Sequence, residues 1–70
     1  MEFMQTMLAI QKAIREAKAR TGDTHLATRA EAGKLQIVRV VPNGKRGDCD
    51  LFPVSEYLPI AEALRAIEAL

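Results

Sequence analysis

The chain has 70 residues, a net charge of +1, 49% apolar residues, one cysteine (Cys49) and one histidine (His25). Such a length makes a single domain, residues 1–70, and hides only about 60% of the surface that the unfolded chain exposes. A lone cysteine excludes an internal disulfide, one histidine is too few for a zinc site, and no run approaches the ~20 apolar residues of a membrane span.

With those stabilisers excluded, association remains, so a homodimer or an obligate complex is expected. Glu2, Gln5, Thr6 and Gln11 interrupt what would have to be the apolar core of an export signal. Together with a free thiol, this points to a reducing cytoplasm. The charge is unevenly spread. Residues 24–47 carry Arg29, Lys34, Arg39, Lys45 and Arg46 against Glu31, a balance of +4, whereas residues 48–70 balance to −4. That asymmetry favours charged partners or antiparallel self-association.

Residues 1–20 read as a helix. Phe3, Met7, Ile10, Ile14 and Ala17 fall at alternating spacings of four and three and form one stripe, which Met4 and Leu8 widen. Glu16 and Arg20 are placed for an i, i+4 pair, and Gly22 suits the left-handed residue that closes a helix. Residues 24–30 alternate weakly and are expected to form an edge strand, followed by a short connection at Ala32-Gly33.

Residues 35–41 form the best strand, with Leu35, Ile37, Arg39 and Val41 on one face and Gln36, Val38 and Val40 on the other. Pro42-Asn43-Gly44-Lys45 follows, and Asn-Gly is the pair best suited to a type I′ turn, so a hairpin with residues 47–54 is expected. Pro53 removes a ladder donor, which ends that strand or assigns it to an edge. Ser55 is the expected N-cap of a second helix, with Pro59 inside its first turn, or at N1 if the regular helix starts a little later. Tyr57, Ile60, Leu64, Ile67 and Leu70 make its apolar stripe, and the interleaved alanines allow close packing.

The expected fold is α+β in the order α-β-β-β-α: a three-stranded antiparallel sheet with two helices packed on one face. This order resembles that of double-stranded-RNA-binding domains and of HicA-type toxin ribonucleases. The likeness covers the topology and the Pro42-Asn43-Gly44-Lys45-Arg46 turn. Those toxins carry a histidine on the central strand, where this chain has Leu-Gln-Ile-Val-Arg-Val-Val, and His25 lies on the preceding one.

Asp48-Cys49-Asp50 places two carboxylates on one side of a strand without companion ligands, and reads as a charged solvent face. Cys49 would need His25 as a base from across the sheet, so it is expected to be a small buried hydrophobe facing the helices. Pro42-Asn43-Gly44-Lys45-Arg46-Gly47 lacks phosphate-loop spacing and leads into a strand. No catalytic residue, metal or cofactor is expected. The expected function is a small non-catalytic protein-binding module, a regulator or inhibitor, acting as a homodimer through a basic sheet face and hairpin. Its contact residues are Arg29, Lys34, Arg39, Lys45 and Arg46, over either Val38 and Val40 or Leu35 and Ile37. The alternative is a nucleic-acid-binding module that uses the same basic hairpin.

Overall fold

The structure, a computed structural model, describes residues 3–44 and 46–70; Met1, Glu2, Lys45 and the side chain of Phe3 lie outside that description. The order is α1 (Phe3–Thr21), β1 (Leu26–Glu31), β2 (Lys34–Pro42), β3 (Cys49–Pro53), β4 (Leu58–Pro59) and α2 (Ile60–Glu68). All pairings are antiparallel. Strand β2 is central, with β1 along one edge and β3, then β4, along the other. This is the expected α+β class, with both helices on one sheet face.

Strand alternation decides which face that is. Leu35 and Ile37 point toward the helices, and β1 contributes Leu26 opposite Arg39. They pack with Ile10, Ala13 and Ala17 of α1 and with Ala63 and Ile67 of α2. The alanines let the helices come close to the sheet and to each other. Burying each of Ile37 and Ile67 is worth about 1.5–3 kcal/mol.

Helix α1 closes as expected: Gly22 adopts φ +78° and its N–H donates to the Lys18 carbonyl at 2.8 Å. Among the described residues its apolar stripe is buried or half-buried from Ile10 onward. Met4 and Leu8 are 74% and 61% exposed, and Met7 is exposed as well. Two open clefts of about 300 and 310 Å3 flank Met7 and Ile10, so the first turns stand away from the sheet. Arg20 is aimed not along its own helix but across to α2. Its guanidinium donates to the carbonyls of Ile67 (3.0 Å), Glu68 (3.2 Å) and Leu70 (3.0 Å). Carbonyls at the end of a helix carry partial negative charge, and that of Ile67 also accepts the Leu70 N–H at 3.1 Å.

Three expectations need correction. The two-residue type I′ turn is not Asn43-Gly44 but Ala32-Gly33, which joins paired Glu31 and Lys34 with φ +54° and +77°. Between β2 and β3, Pro42 pairs with Cys49 and residues 43–48 form a six-residue loop with Gly44 and Gly47 at positive φ. A tight turn at Asn43-Gly44 would set Asp50 opposite Ile37, on the buried helix side. The longer loop moves Asp50 out to Val41, at the rim, so the cost of burying a carboxylate outranks local turn preference.

Ser55 does not cap α2. Val54 and Ser55 form a bulge: both of their N–H groups donate to the Ile37 carbonyl, at 2.7 and 3.2 Å, and the Ser55 hydroxyl accepts the Ile37 N–H at 3.1 Å. The chain then rejoins β2 as β4, with Leu58 opposite Leu35. Tyr57 therefore precedes the helix, and Pro59, with ψ 148°, is the last residue before it. Proline fits there because its missing N–H would have no helical partner.

Cys49 is exposed rather than buried, on the side of the sheet away from the helices with Pro42, because alternation along β3 turns Asp50 and Phe52 toward the helix side.

Candidate protein-binding surface

The sheet face opposite the helices is less open than its lack of a covering layer suggests. Val38 is fully buried between Ala27 of β1 and Pro53 of β3, which sit directly opposite it, and Gln36 is buried beside it. What this face offers to solvent lies at its margins, among it Arg29, the opposed pair Glu31 and Lys34, and Pro42, Cys49, Leu51 and Pro53.

The five basic residues singled out in the sequence do not form one patch. Arg29 and Lys34 are exposed on that face, near the Ala32-Gly33 turn. Arg46 is exposed in the loop at the far end of β2, which spans Lys34–Pro42, about 26 Å at ordinary strand rise. Lys45 lies outside the described residues. Arg39 is on the helix side, at the rim, where its Nε donates to Asp23 Oδ2 at 2.7 Å.

That pair belongs to a continuous network at the α1–β1 turn. The Thr21 hydroxyl donates to the Ala17 carbonyl at 2.8 Å and accepts the Asp23 N–H at 3.1 Å. The other Asp23 oxygen accepts the His25 N–H at 3.0 Å. The Arg39 hydrogen bond first, and the His25 N–H second, hold the Asp23 carboxyl below its ordinary value of 3.8. Arg39 is thereby engaged in the fold.

The residues with nucleophilic or ligating chemistry are dispersed. His25 lies opposite Val40, beyond one edge of β2, and Cys49 lies on the other edge, two strand spacings away or about 10 Å before any stagger. Among the described residues, no three His, Cys, Asp or Glu side chains are grouped to hold a metal ion. No helix among them is long and apolar enough to cross a membrane.

Strand β3 carries the surface that sequence reasoning passed over. All five of its residues are exposed, and Leu51 and Phe52 are 44% and 49% accessible, with Val54 at 43% just beyond. Its main chain is paired on one side only. Val54 N–H bonds to Ile37 and Asn43 N–H to the Asp48 carbonyl, and bonded pairs in an antiparallel ladder recur at every second residue. Asp50, Phe52 and Val54 therefore turn their backbone groups to β2. Cys49, Leu51 and Pro53 turn theirs outward. The signal in the sequence was Pro53, which marks an outer strand, next to two large apolar residues that have no helix above them.

Comparison with protein-family models, with curated proteins and with solved structures finds no match for this chain.

Proposed function

We propose that the chain is a small, non-catalytic, cytoplasmic protein-binding module, of the kind that regulates or inhibits its partner. The observation that carries this reading is the open edge of β3, which combines unpaired outward-facing backbone groups with exposed Leu51, Phe52 and Val54. A long-lived edge of this composition invites strand addition, in which main-chain bonds supply affinity and alternate side chains supply selectivity. Arg46 lies beside this edge, and Arg29 and Lys34 stand apart from it near the Ala32-Gly33 turn, separate cations suited to steering an acidic partner. Arg39 serves the fold instead, which narrows the basic contact set.

A nucleic-acid module would need the cations gathered along a groove, with stacking aromatics among them. The separation of Lys34 from Arg46 argues against it. The test immobilises the chain, exposes it to extract from its native host, and competes with excess free chain. In parallel, labelled duplex RNA and DNA are titrated at two salt concentrations. A specifically competed protein with no salt-steep duplex binding supports the reading. Duplex binding that falls steeply with salt, with no protein retained, overturns it.

A further inference from the structure

We infer that the strand which covers β3 is β3 of a second copy, paired antiparallel about a two-fold axis through Leu51. This rests on the protein-binding reading and names the partner. The argument is a count of what the outward edge can pair with.

Cys49 and Leu51 each present an N–H and a carbonyl outward, and Pro53 presents a carbonyl alone. Two antiparallel copies can pair these groups in registers centred on Cys49, Asp50, Leu51 or Phe52, and the Cys49-centred one makes only the two bonds between Cys49 and its twin. The Phe52-centred register leaves only two bonds, because both prolines fall at bonded positions beside the axis. The Asp50-centred register makes four bonds but sets Asp50 directly against its twin, two like charges on one face. The Leu51-centred register also makes four bonds: Leu51 N–H to the twin's Leu51 carbonyl, Cys49 N–H to the twin's Pro53 carbonyl, and the two reciprocals. Pro53 costs it only the terminal donor at each end.

Side chains agree with that register. Leu51 meets its twin on the face away from the helices, and Asp50 meets the twin's Phe52 on the helix side. Arg46, exposed beyond one end of β3, is carried toward the twin's Glu56, exposed beyond the other end. The axis stands perpendicular to the sheet, so the product is one sheet in the order β1-β2-β3-β3-β2-β1 with all four helices on the same side. Self-pairing this way removes the unpaired edge and covers Leu51. A five-residue ladder is small beside a standard interface, so a dissociation constant on the order of micromolar is expected.

Sedimentation of the full chain from about 5 to 500 µM tests this, on the wild type, on Leu51→Lys, on Leu51→Glu, and on an equal mixture of the two variants. The expected result is a wild-type species of twice the 7.7 kDa chain mass. Each variant alone should associate at least about tenfold more weakly, and the mixture should recover the dimer because Lys then faces Glu. A wild type that stays monomeric throughout, variants that dimerise as well as the wild type, or a mixture that fails to recover overturns the proposal. Should a variant not fold, amide exchange in the wild type decides. Protection of the Cys49 and Leu51 N–H groups must rise with concentration, while that of Asp50 and Phe52 does not change. Concentration-independent Leu51 exchange overturns it. A monomeric wild type that still retains a competed protein from extract would remove the twin and leave the protein-binding reading standing. If it retains none, both fall.

Discussion

The carboxylate of Asp23 lies 2.7 Å from Nε of Arg39, and through it the turn after α1 is fastened to the middle of the central strand. Because the Asp23 pKa is lowered in the folded state, the pair contributes stability above the unfolded value of 3.8 and loses it as pH falls through the lower, folded value. Thermal midpoints measured from neutral to acid should therefore drop in that range, and Asp23→Asn should flatten the drop. Arg39→Glu, which sets two carboxylates side by side, should lower the midpoint at neutral pH.

Arg20 joins the two helices at their C-terminal ends by donating to the carbonyls of Ile67 and Glu68 in α2 and of Leu70 just beyond it. Arg20→Ala should cost about 1–2 kcal/mol, since the bonds are charge-assisted but mostly solvent-facing. Arg20→Lys should recover only part of this, because an ammonium lacks the planar fork that reaches several acceptors at once. Denaturant midpoints of the three proteins give the ordering.

Ser55 supplies the one acceptor for the Ile37 N–H where the ladder is interrupted, and Ile37 is 1% exposed. Ser55→Ala leaves that N–H without its partner and should cost about 1–3 kcal/mol. Faster exchange of the Ile37 amide, with its neighbours on the β1 side unchanged, would locate the effect at the bulge.

Ala32 holds φ +54°, a conformation that costs an ordinary side chain about 1–2 kcal/mol. Ala32→Asn keeps the backbone no freer than alanine while suiting the left-handed region, and should stabilise the protein by about 0.5–1 kcal/mol. A raised thermal midpoint is the expected reading, and an unchanged one would show that this turn carries no strain.

The five longer elements were legible because periodicity reports burial directly: period two for β1 to β3, and three-four spacing for α1 and α2. What escaped was set by competition between distant residues. The six-residue loop exists because Asp50 has to move from the middle of the helix side out to its rim, and nothing in Asn43-Gly44 foretells that. The late start of α2 follows from Leu58 pairing with Leu35, a contact 23 positions apart in sequence. The basic cluster dissolved because residues adjacent in composition fell on different faces and ends: Arg39 under the helices' rim, Lys34 and Arg46 at opposite ends of one strand. Leu51 and Phe52 were visible as apolar letters, but their exposure depends on where the helices stop, which no local pattern encodes.

Strand β2 touches β1, β3, β4 and α2, and none of the three other strands pairs with another. Take β2 away and no hydrogen-bonded sheet survives, so partial opening cannot leave a stable half. The molecule should melt as a unit, with the amides of Ile37 and Val38 the last to surrender their protons to solvent, and any segment that loosens earlier must belong to the overhanging first turns of α1.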